Sequence, residues 1–198
     1  MLPSAMLFDL DDTLLRYNLT PELAWKEACG VSAKETGLYK TEELLNLIDT
    51  ISDWYWSDPE KHRAGRLNLH GARTSIVRMA LARLGCDDER IATKVATVYS
   101  NLREESLGLF PDTEDVLWEL VRKGVKLALL TNGAGDVQRV KIEKFRLAQY
   151  FYSCLIEGEL GYGKPDQCVF EMALDKMAAT LGQTWMVGDD LVRDIAGA

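Results

Sequence analysis

Four short apolar runs, at residues 6–10, 125–131, 151–156 and 184–187, constrain the fold more than any other feature of the chain. Each is continuous rather than alternating, and each is bounded by Gly, Asn or Asp. Continuous runs suit strands covered on both faces, as in a parallel sheet. Helical patterns accompany them. Val116, Leu117, Leu120 and Val121 form one apolar stripe, and Val169, Phe170, Ala173, Leu174, Met177 and Leu181 form a longer one. Strand and helix in alternation imply right-handed crossovers and an α/β fold with a doubly wound parallel sheet.

Residues 16–109 break the alternation, with several helix patterns and no convincing strand. Thr20-Pro21-Glu22 supplies a capping hydroxyl and then Pro at the first helical position. From Thr41, the residues Leu44, Leu45, Ile48, Ile51 and Tyr55 share a face. Ile76, Val77, Ala80, Leu81 and Leu84 make another stripe, ended by Gly85, and Asp87 or Asp88 caps the next helix. The expected organisation is an α/β core of residues 1–15 and 110–198 interrupted by a helical domain of residues 16–109.

With 47% hydrophobic residues among 198, the chain can bury a sizeable core. No run is long enough to span a bilayer, and the start has no basic, apolar and small-residue sequence of a secretory signal. Four cysteines, Cys29, Cys86, Cys154 and Cys168, lie scattered without metal or redox spacing, and only two histidines accompany them. Reduced thiols in a cytoplasmic protein are expected. A net charge of −8 argues against binding a phosphate backbone, though a local cation cluster can still hold a small anion.

The polar residues that follow the apolar runs are unusual. In "LFDLDDTLL", Asp9, Asp11 and Asp12 stand at the mouth of the first strand. Residues two apart on a strand face the same way, so an extended chain turns Asp9 and Asp11 into one cavity. Like charges so close raise one another's pKa, and a hard cation such as Mg2+ would relieve them. A turn at Asp11-Asp12-Thr13 capping the next segment fits the same letters. "LALLTNG" ends a strand with Thr131, Asn132 and Gly133, suited to phosphate oxygens or simply to stopping the strand. "GYGKPDQCVF" puts Lys164 before Pro165, the expected first residue of a helix, where a cation opposes the dipole unless it meets an anion. A solvated lysine is the plain alternative. "WMVGDDLVRD" ends a strand with Asp189 and Asp190, with Asp194 four residues on; Asp190 also reads as a helix cap. In open α/β sheets ligands bind at the carboxyl ends of strands, and all of these residues lie at such ends.

In this order the residues resemble the haloacid dehalogenase (HAD) superfamily, in its phosphatase branch with a helical cap inserted after the first strand. "DLDDT" matches the first motif, Thr131 the second, Lys164 the third, and "GDDLVRD" with Asp189 and Asp194 the fourth. The likeness covers essentially the whole chain. It implies a Mg2+-dependent phosphatase acting on a small organic phosphate monoester, of the sugar phosphate or nucleoside monophosphate class. Asp9 would be the nucleophile and Asp11 the general acid and base. Thr131, Asn132 and Lys164 would bind the phosphoryl group. The metal would be held by Asp9, Asp189, the backbone carbonyl of Asp11, and Asp194 at one remove. The strand before Asp189 would lie beside the first strand, with the Thr131 strand on the other side.

The family usually continues past Ala198 with the rest of a helix and another strand. The last helix and strand of the core are therefore expected to be missing, with the strand before Gly188 at a sheet edge and Asp194 in a fraying turn. A monomer or weak homodimer acting on a small phosphorylated metabolite, with no nucleic acid polymer and no membrane, is expected. A phosphomutase, a dehalogenase or a non-catalytic phosphate- or partner-binding protein are the rival readings. The aromatic residues Trp25, Tyr39, Trp54, Tyr55 and Trp56 are expected mainly to pack the helical domain, a pocket that stacks a base or sugar being the alternative; Arg63, Arg66 and Arg73 are expected on solvated helix faces, with substrate anchoring as their alternative.

Overall fold

The computed structural model describes residues 2–198. The chain forms two compact units. One combines the N-terminal residues up to Arg16 with Gly108–Ala198, and the other is Tyr17–Leu107.

The first unit is built on a four-stranded parallel sheet. Its strands are β1 (Ala5–Phe8), β4 (Lys126–Thr131), β5 (Ser153–Ile156) and β6 (Thr184–Val187), in the order β5-β4-β1-β6. Leu127, Ala128, Leu129 and Leu130 are all fully buried, as expected for a strand with both faces covered. The helices are α6 (Thr113–Arg122), α7 (Gly135–Lys144), α8 (Glu157–Leu160) and α9 (Gln167–Met177). One face of the sheet packs Ala5, Leu7, Ala128, Leu130 and Leu155 against Val169, Phe170, Ala173 and Met177 of α9. From β1 the chain runs outward through β4 to β5, then returns to place β6 on the other side of β1. Strand order therefore reverses at β1, where open α/β sheets take their ligands. Phe8 pairs with both Leu129 and Val187, so the residues after β1, β4 and β6 emerge side by side.

The second unit is helical: α1 (Pro21–Thr36), α2 (Thr41–Ser57), α3 (Pro59–Leu67), α4 (Leu69–Arg83) and α5 (Glu89–Glu105). Thr20 accepts from the Leu23 N–H at the start of α1, and Asp88, not Asp87, caps α5 through the Arg90 N–H. Leu44, Ile48, Ile51, Ile76, Val77, Ala80 and Leu81 form its core with Trp25 and Tyr99, whose rings stack 3.8 Å apart. Tyr39 is buried and its hydroxyl lies 2.6 Å from Ser32 Oγ, while Trp54 is exposed. Arg73 is not on a solvated face: it donates to Ser100 Oγ and lies over the Tyr99 ring.

Several expectations are corrected. Short strands β2 (Leu15–Tyr17) and β3 (Leu107–Leu109) pair where the chain passes between the units. Three residues are too few to display a strand period in sequence. The stripe on α6 is half a stripe, since Leu117 and Leu120 are buried but Val116 and Val121 are exposed. Leu181 lies beyond the end of α9, which closes at Ala178 in the left-handed region, and its side chain is in solvent. The helix after Lys164 begins at Gln167 rather than Pro165, and the Lys164–Pro165 peptide is cis. Among the described residues no helix is long and apolar enough to cross a membrane.

Candidate active site

β1 stops at Phe8, and Asp9 follows with its backbone N–H still bonded to the Val187 carbonyl of the adjacent strand. Its carboxylate is buried and accepts from Lys164 Nζ at 2.5 Å. Lys164 is itself only 3% exposed, and its ammonium also meets Asp194 Oδ1 at 2.6 Å. A buried ammonium needs such partners, because desolvation of an unpaired charge costs far more than a surface ion pair returns. The lysine is therefore neither solvated nor at a helix N-terminus. Burial pushes the Asp9 carboxyl up to about 6, against the pull of Lys164, with the Asp194 charge adding to the rise.

Lys164 is placed by Asn132, the first residue after β4. Asn132 Nδ2 donates to the Lys164 carbonyl at 2.7 Å, and the Lys164 N–H donates to Asn132 Oδ1 at 2.9 Å. The Asn132 side chain is thus engaged with backbone rather than turned to a phosphate. Thr131 is buried at the end of β4, and its hydroxyl accepts from Gln138 Nε2.

Asp189 and Asp194 come from the turn after β6. Asp190 caps a single π-helical turn, Leu191–Ile195, by accepting from the Val192 and Arg193 N–H groups. Its burial is outweighed by those donors, which hold its carboxyl below the usual range. Asp194 is 1% exposed and accepts from the Asp190 N–H at 3.1 Å, so it is packed and bonded rather than at a loose end. A Cβ at Gly188 would lie 2.1 Å from Asp194 Oδ2, so this close approach requires glycine.

Asp9, Asp189 and Asp194 each bring one carboxylate oxygen within 4.8 Å of the others. Three carboxylates against one ammonium leave two negative charges uncompensated within this group. A cluster of hard oxygen donors with that imbalance fits a divalent cation such as Mg2+. The Asp11 side chain does not join it. The chain turns after Leu10, Asp12 has a φ of 59°, and Asp11 accepts from Lys141 Nζ at 2.7 and 2.8 Å and from Gln138 Nε2 at 2.9 Å. Asp9 and Asp11 are therefore each paired with a different lysine.

Lys141 and Gln138 were not marked by the sequence reading. Both lie on α7 and are buried beside Ile142. The available signal was their spacing: Gln138, Lys141 and Ile142 stand at i, i+3 and i+4, so two polar residues interrupt the one apolar face of that helix.

A family model for haloacid dehalogenase-like hydrolases matches residues 3–198. Phosphoserine phosphatase from Thermus thermophilus is 34% identical, with 98% of this chain and 83% of that protein covered. Glyceraldehyde 3-phosphate phosphatase from Methanocaldococcus jannaschii is 30% identical over 98% of this chain and 79% of its own. Among solved structures, the HAD-hydrolase YfnB from Bacillus subtilis, bound to magnesium, superposes with a TM-score of 0.69 at 20% identity, covering 100% of this chain and 84% of that one. Sheet order, strand-end residues and family match agree: the chain belongs to the haloacid dehalogenase-like hydrolases.

Proposed function

We propose that the protein is a Mg2+-dependent phosphatase that hydrolyses a small organic phosphate monoester, a sugar phosphate or nucleoside monophosphate, through an aspartyl-phosphate on Asp9. The observation that carries this reading is the position of Asp9 at the strand-order reversal, between Lys164 and the carboxylates of Asp189 and Asp194. The named activities of the relatives support the same class of substrate. We take the helical unit Tyr17–Leu107 as the cap, and the compartment as the cytoplasm, in keeping with four free cysteines.

In the first half-reaction an Asp9 oxygen attacks phosphorus and the bond to the ester oxygen breaks. Asp11 serves as the general acid and passes a proton to the leaving oxygen. In the second, Asp11 takes a proton from water as the water oxygen attacks phosphorus, and the bond to Asp9 breaks. Inorganic phosphate and both carboxyl groups are regenerated. Lys164 and the Thr131 hydroxyl stabilise the phosphoryl oxygens as charge shifts onto them. Asn132 acts through the Lys164 backbone. Asp9, Asp189 and Asp194, with the Asp11 carbonyl, would hold Mg2+, which supplies positive charge for the approach of a dianion to a carboxylate.

A dehalogenase has no alcohol-like leaving group to protonate, so Asp11 favours phosphoester chemistry. A phosphomutase would have to exclude water. Turnover of p-nitrophenyl phosphate that depends on Mg2+, followed by a screen of sugar phosphates, nucleoside monophosphates, phosphoserine and phosphoglycolate, tests the proposal. No turnover by folded protein at any metal concentration would leave a non-catalytic binding protein.

A further inference from the structure

The buried face of helix α7 carries two polar residues beside Ile142. The helix buries Gln138 to 2% and Lys141 to 8% exposure while leaving Val140 63% exposed. Burial of Ile142 sets which side of the helix faces inward, but burying an ammonium beside it costs free energy that apolar packing does not return. What offsets that cost is Asp11. Lys141 Nζ contacts both Asp11 oxygens, and Gln138 Nε2 contacts one of them while also reaching the Thr131 hydroxyl. A carboxylate held by three contacts from two residues on successive turns of one helix has its plane and rotamer fixed. Asp11 itself stays partly open, its side chain 31% exposed against 10% for Lys141. The buried partner thus grips a carboxylate that stays partly exposed to solvent.

We propose that Lys141 and Gln138 are positioning residues that hold Asp11 in the orientation for proton transfer to and from the leaving oxygen and the attacking water. This rests on the phosphatase reading above. Lys141 grips Asp11 through both carboxylate oxygens, whereas Gln138 also ties Asp11 to the Thr131 hydroxyl, so Lys141 is the sharper probe of the proton-transfer arm.

The dependence on leaving group separates positioning from a general structural role. An alkyl phosphate needs a proton on its departing oxygen, whereas p-nitrophenolate leaves with little help. Proton transfer by a placed side chain is worth ~10²–10⁴-fold, so Lys141→Met should lower kcat/KM for an alkyl phosphate at least ~10-fold more than for p-nitrophenyl phosphate. Lys141→Arg, which keeps a bidentate grip, should restore most of the ratio. Gln138→Met should shift it in the same direction by less, giving a second reading if Lys141→Met folds poorly. In an Asp11→Asn background Lys141→Met should change the ratio no further. Equal losses on the two substrates in both single variants, or an unaltered ratio, would overturn the positioning role while leaving the phosphatase reading intact. A parent enzyme inactive on both substrates with Mg2+ would overturn both.

Discussion

Asp9 and Lys164, 155 positions apart in the chain, are joined by a buried ion pair of 2.5 Å. The same ammonium holds Asp194, so one lysine balances two buried acids. Lys164→Met should therefore destabilise the metal-free protein by ~3–5 kcal/mol, the usual consequence of stranding a buried charge. Added Mg2+ should recover part of that loss by replacing the missing positive charge. Urea denaturation with and without the metal measures both, and a variant as stable as the parent would mean the pair does not form.

The Asp9 carboxyl is raised from 3.8 to about 6, chiefly by burial. Its folded value lies above its unfolded one, so its contribution to stability is fully present below about pH 4 and is lost as pH rises through about 6. The span corresponds to ~3 kcal/mol. Mg2+ selects the ionised form. Calorimetry in buffers of different ionisation enthalpy should find about one proton released per metal bound near pH 5, and almost none near pH 8. Proton release that does not vary with pH would remove Asp9 from the metal site.

Gly188→Ala should act on Asp194 rather than on the strand. The added methyl would meet the Asp194 carboxylate at well under van der Waals distance, forcing it away from Lys164 and the Asp190 N–H. The expected outcome is a weaker Mg2+ requirement curve, with half-saturation raised ~10-fold or more, on the scale of disturbed metal-site support. Titrating activity against Mg2+ checks this; an unchanged curve would show that the turn gives way without moving the carboxylate.

Asp9→Asn should lower turnover of p-nitrophenyl phosphate by ~10³-fold or more, because the amide cannot accept the phosphoryl group. Circular dichroism and thermal unfolding of the same preparation establish that the fold survives. Phosphate transfer as fast as in the parent would exclude Asp9 as the nucleophile.

The cysteines should separate by reactivity. Burial pushes the Cys29 thiol up to about 12 and raises that of Cys154, while Cys168 is exposed. A thiol reagent at pH 8 should label Cys168 first and Cys29 only on unfolding, as mass spectrometry of the modified peptides can follow.

What could be read from the letters followed local rules. β4 began one residue later than its apolar run, because a strand buried on both faces announces itself by continuous hydrophobicity, and β6 ran over residues 184–187 as expected although Trp185 is exposed. Asp9, Thr131, Lys164, Asp189 and Asp194 stood out because each broke the texture of its surroundings at the end of such a run or beside a predicted helix start. Lys141 and Gln138 did not. Their partner Asp11 is 130 and 127 positions away, and nothing within α7 marks a carboxylate for its buried lysine to meet. The same limit applied to the side chain of Asn132, whose partner is the backbone of Lys164, 32 residues on. The exposed Val116 and Val121 are the reverse case, apolar letters at helical spacing without a surface to meet.

The amide of Asn132 behaves towards Lys164 as a neighbouring strand would, giving one hydrogen bond and receiving one across the same residue. A single side chain thus mimics a rung of sheet where no sheet exists, and Gly163 leaves room for it, since a Cβ there would come within 2.5 Å of Asn132 Oδ1. Aspartate could imitate only the accepting half, and glutamine would overreach by a methylene. The angle at which the lysine enters the site is consequently encoded in the reach of one amide.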